Sequence, residues 1–389
     1  MTTVLAGLDV LARLPRLLRG RRVGLLSHQP SVTRDLRHAV DVVRALPGAR
    51  LVALFAPEHG ITGAAQDQIG IGGERHRAAG LPVWSLYGRR LAPTQESLRG
   101  LGALVVDLQD VGSRYYTYVW TMTLAMRECA RAGVPVVVLD RPNPLGGERL
   151  EGNIAAPGYS SFVGLYPLPT RHGMTIAELA GYLNETHGIG CDLTVVPMRG
   201  WRRSMLWEDT GLPWVAPSPN MPTLDTARVY PGGCLIEGTN MSEGRGTTRP
   251  FEWVGAPYLD GARLAVALER RALPGVRFRA TAFEPAFHKW RGRRCEGVQV
   301  HVTDRARFRP YLTYIALIAE ARRQAGRRFR WRRPPYEFEL RKLPIDILLG
   351  TDAIRRALSR GASLRAIERS WRRDLAAWQR GRARWLMYA

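Results

Sequence analysis

The segment Ala-Leu-Val-Val-Asp-Leu-Gln-Asp at residues 103–110 joins an apolar run directly to polar residues. A continuous apolar run of this kind is typical of a strand that is buried on both faces of a parallel sheet. The pattern recurs along the first half of the chain, with predicted strands at residues 23–27, 51–55, 82–86, 134–139 and 193–196 and predicted helices at residues 33–45, 116–132 and 175–187. This alternation predicts an α/β fold class with a parallel sheet.

A segment rich in proline and glycine, residues 211–233, follows the last of these strands. Such a composition favours turns over regular elements, so we place a domain boundary there. The predicted domains are residues 1–228, which carry the parallel sheet, and residues 229–389, a smaller domain of mixed α+β type. Within the second domain, strands are predicted at residues 275–283 and 297–303 and helices at residues 309–324, 353–360 and 364–380. A chain of 389 residues is long enough for two domains of ordinary size.

The chain is strongly basic, with 57 Lys and Arg against 34 Asp and Glu and a formal net charge of +23. Only Lys289 and Lys342 are lysines, and residues 301–389 alone carry 22 basic and 8 acidic residues. A basic, arginine-rich surface is typical of nucleic-acid-binding proteins. Replacement of surface lysine by arginine throughout the chain explains the same composition without any partner. The charge alone therefore does not define a nucleic-acid partner.

The sequence predicts a globular protein without a membrane span, because no apolar run approaches the roughly 18 residues that cross a bilayer. The first 22 residues lack the apolar core of a secretory signal peptide, so we expect a cytoplasmic location. The four cysteines form no C-x-x-C pair; they are Cys129, Cys191, Cys234 and Cys295. We expect them to be buried free thiols rather than zinc ligands.

Polar residues follow several predicted strands at the edge of the sheet where ligands of open parallel sheets bind. Glu58 and His59 follow the second strand, Asp110 follows the strand of residues 103–108, and Asp140 ends the next strand. Glycoside hydrolysis requires a pair of carboxyl groups across a cleft, one to protonate the leaving oxygen and one to act on water or on the cationic centre. We therefore expect acid–base chemistry at this edge, with Glu58 as the foremost candidate. Capping and ion pairing are the alternative roles of these acids.

A polar loop at residues 237–248 contains three glycines together with Glu237, Glu243 and Arg245. Its backbone amides and its arginine can hold a carboxylate or sugar hydroxyls, and a structural turn is the alternative. Other site classes lack their signals, because the chain has no Gly-rich dinucleotide turn after the first strand, no phosphate-binding P-loop and no G-x-S-x-G. The glycines of residues 70–73 follow no strand, and the histidines of the first half lack the spacing of helical metal ligands. We predict neither a nucleotide nor a metal.

These loops resemble the signature motifs of a known family. The matching segments are residues 54–60 (LFAPEHG), 85–88 (SLYG), 107–118 (DLQDVGSRYYTY), 139–144 (LDRPNP), 171–175 (RHGMT), 218–222 (SPNMP) and 237–252. In this order, and over nearly the whole chain, they resemble those of the NamZ (YbbC-like) exo-β-N-acetylmuramidases. The resemblance implies a Rossmann-like domain at residues 1–228, a smaller α+β domain at residues 229–389 and an active site in the cleft between them. It also implies release of N-acetylmuramic acid from the non-reducing ends of peptidoglycan fragments, without a cofactor, and some relatives are exported.

The resemblance implies a catalytic role for Glu58, with His59 beside it. The candidates for a second catalytic carboxylate are Asp110, Glu243 and Glu237, and the N-acetyl oxygen of the substrate is an alternative. The lactyl carboxylate of N-acetylmuramic acid calls for an arginine in the pocket. The predicted substrate-binding residues are Arg114, Tyr116, Asp140, Arg141, Asn143, Arg171, His172, Glu237 and Arg245. The competing hypothesis is a non-catalytic protein that binds an anionic wall polymer or nucleic acid through its arginine-rich surface.

Overall fold

A mostly parallel sheet of seven strands dominates the first half of the chain within the described residues, which are 3–66, 74–76 and 79–389 of the computed structural model. The strands of this half are β1 (Arg22–Ser27), β2 (Arg50–Ala56), β3 (Glu74–Arg75), β4 (Pro82–Ser85), β5 (Ala103–Asp107), β6 (Val136–Leu139), β7 (Glu151–Ile154), β8 (Pro169–Arg171) and β9 (Leu193–Val196). The order in the large sheet is β3-β4-β2-β1-β5-β6-β9, and within the described part of this sheet only β3 is antiparallel to its neighbour. β7 and β8 form a separate hairpin. The predicted strands are confirmed, with ends within two residues of those expected.

The order of the strands along the chain reverses beside β1, and this reversal creates a crevice at the edge of the sheet. β1 pairs with β2 on one side and with β5 on the other, so Ser27 at the end of β1 lies opposite Asp107 at the end of β5. β5 is buried along its whole length, as expected for a central strand. Because the segments that leave β1 and β5 diverge, the loops on either side can enclose a ligand.

Helices cover both faces of this sheet. They are α1 (Gly7–Leu11), α2 (Ala39–Arg44), α3 (Gln95–Leu98), α4 (Tyr118–Ala132) and α5 (Ile176–Thr186). Leu8 of α1 and Val40 of α2 share a hydrophobic cluster with Val105 of β5. Met122 of α4 belongs to another cluster, together with Val106. Since neighbouring residues of a strand point to opposite faces, β5 contributes to both layers.

The second half of the chain, from residue 224 onwards, is a smaller α+β unit built on an antiparallel sheet. Its elements in the described chain are α6 (Leu224–Gly233), β10 (Trp253–Ala256), α7 (Gly261–Glu269), β11 (Val276–Phe283), β12 (Cys295–Val302), α8 (Pro310–Ala325), α9 (Pro344–Leu349), α10 (Ala353–Ser359) and α11 (Leu364–Gly381). β12 lies between β10 and β11 and is antiparallel to both. Val298 and Ile315 belong to the same hydrophobic cluster as Val106, so the two halves share one core. The predicted fold class, a parallel α/β part followed by a smaller α+β part, is confirmed.

Helix α2 is shorter than the sequence predicts. Residues 33–38 form a turn instead, in which the Thr33 hydroxyl donates to Asp35 Oδ1 at 2.5 Å. His38 then caps the helix, since its Nδ1 accepts from the amide of Val40 at 3.3 Å. Short polar side chains that bond to nearby groups favour turns over helix, which explains why the helical pattern does not extend back to residue 33.

Helix α6 occupies residues 224–233, which the sequence predicts as part of a linker between domains. The hydroxyl of Thr223 caps its first turn by accepting a backbone amide hydrogen at 3.2 Å. Pro231 lies in the last turn, and Gly232 lets α8 approach closely, because a Cβ at that position would collide with the carbonyl oxygen of Pro310. The glycine content here therefore serves close packing of two helices rather than a flexible connection.

The last residues of the chain pack against the first half at Asp140. Tyr388 donates from its hydroxyl to Asp140 Oδ2 at 2.5 Å, and its ring packs edge-on against Trp201. The same carboxyl group accepts from the Thr175 hydroxyl at 2.8 Å and from the Ala177 amide at 3.0 Å. Asp140 therefore joins the end of β6, the start of α5 and the C-terminal residues.

Asp140 is expected to make the protein less stable as the pH rises towards neutrality. Burial raises the pKa of its carboxyl group to about 7, whereas the pKa of an Asp side chain in an unfolded chain is roughly 3.9. Between these values the folded protein keeps a proton that the unfolded chain releases, so this contribution is present at low pH and is lost as the pH rises through 7. It amounts to at most about 4 kcal/mol.

Asp140→Asn removes this titration, and urea unfolding measures the effect. We expect wild-type protein to lose more free energy of unfolding than the variant between about pH 5 and about pH 8. Equal losses in the two proteins would show that Asp140 does not titrate in this window.

Candidate active site

A pocket opens where the carboxyl ends of the parallel strands meet the second half of the chain. The space between its walls, together with the open solvent at its mouth, is about 480 Å³. The first half contributes Glu58 and His59 from the loop after β2, and Tyr116 and Thr117 from the segment before α4. The lining residues of the second half include Tyr230, Glu237, Arg245, Phe251, Tyr336 and Glu337. Carboxyl groups that are far apart in the sequence are thus brought to one cavity.

Glu58 lies in a tight turn at the end of β2. His59 and Gly60 both adopt the left-handed conformation, with φ of 70° and 77°, and a glycine relieves one of the two strained positions. Glu58 is only 6% exposed, and its Oε2 accepts from the hydroxyl of Thr117 at 2.9 Å. His59 Nδ1 donates to the carbonyl oxygen of Ala65 at 2.7 Å, which orients the imidazole ring. The turn therefore presents two functional side chains in fixed positions.

Aromatic rings form one wall of the pocket. Tyr116 packs edge-on against Tyr118 and Tyr230, with ring centroids 4.8 Å and 5.6 Å apart. Tyr230 packs edge-on against Phe251 at 5.0 Å. Burial raises the pKa of the three tyrosine hydroxyls well above the usual value, so they stay neutral. Apolar ring faces with neutral hydroxyls and a few charged groups are typical of a small-molecule site.

A second carboxyl group, that of Glu237, enters the pocket from the turn after α6. Its Oε1 accepts from Arg245 Nη2 at 2.8 Å, and its Oε2 accepts from the hydroxyl of Tyr336 at 2.8 Å. The Arg245 guanidinium lies 5.0 Å from the ring centroid of Phe251, a cation–π contact. The pocket thus holds two carboxyl groups: that of Glu58, which accepts from the hydroxyl of Thr117, and that of Glu237, which pairs with a cation.

Glu243 lies behind Arg245 and does not line the pocket in the described part of the chain. It is 1% exposed, with Oε2 2.7 Å from Lys289 Nζ and Oε1 3.4 Å from Arg245 Nε. Burial favours the protonated form of Glu243, but the charges of Lys289 and Arg245 outweigh burial and lower the pKa of its carboxyl group. Glu243 is therefore a buried carboxylate that supports Arg245.

Lys289 ties together the loop of residues 236–245. Its ammonium group donates to the carbonyl oxygens of Ile236 (3.0 Å), Thr239 (3.0 Å) and Met241 (2.7 Å), besides its ion pair with the carboxylate described above. A compact ammonium group directs its hydrogens to several oxygens around one atom, which a planar guanidinium does not. This geometry explains why a lysine stands here in a chain whose other basic residues are almost all arginine.

Asp107 and Arg141 form a buried ion pair at the strand ends. Arg141 Nε donates to Asp107 Oδ1 at 2.5 Å, and Nη2 donates to Oδ2 at 2.8 Å. Nη2 also donates to the carbonyl oxygen of Val32 at 3.0 Å. The pair therefore connects the segments that follow β1, β5 and β6, and it fixes the edge of the sheet beside the pocket.

Asp110 closes the turn that follows β5. Its Oδ2 accepts from the Gly112 amide at 2.6 Å and lies 3.3 Å from His172 Nε2. Gly112 has a φ of 77°, and a Cβ there would collide with the side chain of Asn143, so glycine is required. Asn143 caps the following turn by accepting from the Leu145 amide at 3.0 Å. These side chains hold the loops of the sheet edge to one another.

Two further predicted residues bind backbone carbonyls in the interior. Arg114 donates at 2.7–2.8 Å to the carbonyl oxygens of Asn153, Leu168 and Leu348. Arg171 Nη2 donates to the carbonyl oxygen of Leu145 at 2.5 Å. Burial lowers the pKa of both guanidinium groups, to about 10 for Arg171. Both arginines thus connect separate segments of the chain by hydrogen bonds to backbone carbonyls.

The predicted site residues therefore fall into two groups. Those that the structure brings to the pocket are Glu58, His59, Tyr116, Glu237 and Arg245. Those that do not line it, as far as the described residues go, are Asp110, Arg114, Asp140, Arg141, Asn143, Arg171, His172 and Glu243. The second group supports the loops that carry the first.

Several pocket residues carry no predicted role. They are Thr117, Ser218, Asn220, Tyr230, Phe251, Tyr336 and Glu337. Ser218 and Asn220 belong to a motif that the family resemblance includes, so the motif is a usable signal for them. Tyr336 and Glu337 lie among the arginines near the C-terminus, where neither spacing nor periodicity marks a site. Their place in the pocket follows only from the folding of the second half over the sheet.

Other site types find little support in the described ranges. No group of three or more His, Cys, Asp or Glu side chains is placed there to hold a metal ion. The four cysteines are buried free thiols, as the sequence predicts. No helix in residues 3–66, 74–76 and 79–389 is long and apolar enough to cross a membrane. The glycines of residues 70–73, considered above for phosphate binding, lie outside the described residues.

The parallel sheet and its pocket of carboxyl groups and aromatic rings define an α/β protein with an acid–base site. Two family models account for the chain: the N-terminal model of exo-beta-N-acetylmuramidase NamZ matches residues 23–225, and the C-terminal model matches residues 228–388. The chain therefore belongs to the NamZ exo-beta-N-acetylmuramidase family, and the resemblance noted in the sequence is confirmed.

A curated relative and two solved structures are similar over nearly their whole lengths. Peptidoglycan beta-N-acetylmuramidase NamZ of Bacillus subtilis (strain 168) is 45% identical over 372 residues, which cover 95% of this chain and 88% of the relative. A DUF1343 family protein from Bacteroides fragilis superposes with a TM-score of 0.89 at 33% identity, covering 100% of both chains. A second protein of that description, from the same organism, gives a TM-score of 0.78 at 28% identity, covering 100% of this chain and 99% of the other.

Substitution of Lys289 is expected to destabilise the protein even when the charge is kept. Lys289→Arg loses the contacts to the surrounding carbonyls and is expected to lower the free energy of unfolding by about 1–3 kcal/mol. Lys289→Met leaves Glu243 buried without its main partner and is expected to cost about 3–5 kcal/mol.

Urea unfolding of each variant measures these losses, and the second lysine provides a matched control. The side chain of Lys342 is 41% exposed, so Lys342→Arg is expected to change the free energy of unfolding by no more than about 0.5 kcal/mol. If Lys289→Arg were as harmless as Lys342→Arg, the carbonyl contacts would not be important for stability.

Proposed function

We propose that this chain is an exo-β-N-acetylmuramidase that releases N-acetylmuramic acid from the non-reducing ends of peptidoglycan fragments. The observation that carries the proposal is that Glu58 and Glu237 line one pocket, since a pair of carboxyl groups is what glycoside hydrolysis requires. Membership of the NamZ family and the name of the Bacillus subtilis relative support the choice of substrate.

Glu58 acts as the general acid in this proposal. It gives its proton to the glycosidic oxygen as the bond from that oxygen to the anomeric carbon breaks, so the leaving sugar departs as a neutral alcohol. The hydrogen bond from Thr117 holds the carboxyl group in one orientation. Water then adds its hydroxyl to the anomeric carbon, and its remaining proton replaces the one that Glu58 gave.

Glu237 is the second carboxyl group in this proposal. Of the three predicted candidates it lines the pocket, whereas Asp110 and Glu243 do not in the described chain. Its ion pair with Arg245 suits a carboxylate that orients water or faces the positive charge developing at the anomeric carbon, rather than a proton donor.

Glu58→Gln is expected to lower kcat/KM by about 10²–10⁴-fold on a disaccharide with N-acetylmuramic acid at its non-reducing end. The amide cannot supply a proton to the oxygen of the leaving sugar. The fluoride ion of β-N-acetylmuramyl fluoride leaves without being protonated. The kcat/KM of Glu58→Gln on this substrate is therefore expected to fall far less. Steady-state kinetics with both substrates gives the comparison.

The control for this experiment is Glu148→Gln, the same change at an exposed glutamate, which is expected to keep wild-type kinetics. Near-normal hydrolysis of the disaccharide by Glu58→Gln would remove Glu58 from the mechanism. Equal losses on the disaccharide and the fluoride would assign it a role other than proton donation.

Arg245 is the residue that we assign to the lactyl carboxylate of the substrate. Among the four predicted arginines, it is the one that lines the pocket within the described residues. Because its guanidinium already pairs with Glu237, a substrate without the lactyl group loses a charge-assisted hydrogen bond but leaves no unpaired cation. We therefore expect N-acetylglucosaminides to be hydrolysed about 10–100-fold less efficiently than N-acetylmuramides.

Arg245→Lys is expected to reduce this selectivity, because lysine keeps a positive charge beside Glu237 but cannot bind a carboxylate in bidentate fashion. The measurement is kcat/KM on the chromogenic β-glycosides of both sugars. Arg291→Lys, the same change at an exposed arginine, is the control. A ratio unchanged from wild type would show that another group recognises the lactyl carboxylate.

A further inference from the structure

A β-turn at residues 336–339 holds the backbone of its two central residues in the left-handed conformation. The Tyr336 amide donates to the Glu339 carbonyl at 2.9 Å, and the Glu339 amide donates back to the Tyr336 carbonyl at 2.8 Å. The central residues, Glu337 and Phe338, have φ of 44° and 67°. Asparagine and glycine are the usual residues of such turns, and a phenylalanine there is strained. Strained residues of this kind persist only where the surrounding structure holds them in place, and they are frequent at functional sites.

The turn builds part of the pocket wall. Tyr336 donates from its hydroxyl to Glu237 at 2.8 Å. Glu337 lines the pocket and accepts from the Tyr87 hydroxyl at 3.1 Å. Two successive residues of the turn thus line the pocket, and Phe338 is the next residue in the sequence.

Phe338 follows Glu337 in the chain and packs against two aromatic rings of the first half. Its ring packs edge-on against Tyr87 at 5.7 Å and against Phe162 at 5.8 Å. Glu337 beside it and Val163 beside Phe162 both line the pocket. Phe338 is nevertheless 51% exposed, so a strained, half-exposed aromatic residue follows directly on a residue that lines the pocket.

We propose that Phe338 is the stacking platform of the subsite that receives the leaving sugar, the ring on the other side of the cleaved bond. This inference rests on the proposed exo-acting glycosidase function. Exo action places the terminal sugar in the pocket, so the next ring lies outside it. The face of a pyranose ring presents C–H groups, and an aromatic ring offers such a face a rigid apolar partner at small cost in conformational entropy.

The test compares Phe338→Ala on two substrates that differ in their leaving groups. The disaccharide places a sugar on the platform, whereas the fluoride of β-N-acetylmuramyl fluoride is too small to reach it. We expect the ratio of kcat/KM for the disaccharide to kcat/KM for the fluoride to fall about tenfold in this variant, mainly because KM for the disaccharide rises. A tenfold change corresponds to about 1.4 kcal/mol. Phe338→Tyr, which keeps the aromatic ring, is expected to restore the ratio. An unchanged ratio in Phe338→Ala would overturn the proposal.

A second pair of variants separates the platform from a structural role. Phe338→Gly also lacks the ring but fits the left-handed conformation, so its thermal midpoint is expected to exceed that of Phe338→Ala by about 2 °C. Both variants are expected to show the same loss of the substrate ratio, and recovery of the ratio in Phe338→Gly would overturn the proposal. Leu340→Ala, at an apolar residue that is 73% exposed, is expected to keep the wild-type ratio.

The fluoride also distinguishes failure of this inference from failure of the proposed function. Wild-type protein that hydrolyses the fluoride and the disaccharide has the proposed activity whatever the behaviour of the Phe338 variants. Wild-type protein that hydrolyses neither would overturn both proposals. Equal losses on both substrates in Phe338→Ala would overturn the platform alone.

Discussion

The buried ion pair of Asp107 and Arg141 is the constraint on which the site depends. Its bidentate geometry satisfies two charged groups that have no access to water, and an unpaired partner would cost about 3–5 kcal/mol. Because Arg141 also binds the carbonyl of Val32, the segments after β1, β5 and β6 share one anchor. The chain that leaves β5 then runs to Thr117, which holds Glu58. An ion pair outside the lining of the pocket thus helps to hold the segment that positions the proposed general acid.

The sheet and part of the site could be predicted from the sequence because both rest on local patterns. Apolar runs mark buried strands, and the polar residues that follow them mark the edge where Glu58 lies. The same rule cannot tell a residue that faces a ligand from one that supports a loop, and Arg114 and Arg245 differ only in what the folded chain places around them. Tyr336 and Glu337 could not be predicted, since they reach the pocket from the far end of the sequence.

The structure also changes the meaning of the basic composition. Several arginines are buried, and they bind backbone carbonyls rather than a partner: Arg114, Arg171, Arg203 and Arg382. The fork of a guanidinium suits this use because it reaches several oxygens in one plane, whereas the carbonyl oxygens around Lys289 need a compact cation. Part of the net charge is therefore interior. The exposed arginines still give the surface a positive field, which favours approach of anionic fragments.

The packing of the C-terminal residues has a consequence for biosynthesis. The Arg203 amide donates to the carbonyl of Ala389, and Tyr388 completes the surroundings of Asp140, so these contacts of the first half form only after residues 388 and 389 have been synthesised. The segment matched by the N-terminal family model therefore does not complete its packing until the segment matched by the C-terminal model has been made. A nascent chain that stalls early keeps Trp201 uncovered, and such exposed apolar surface is what chaperones bind.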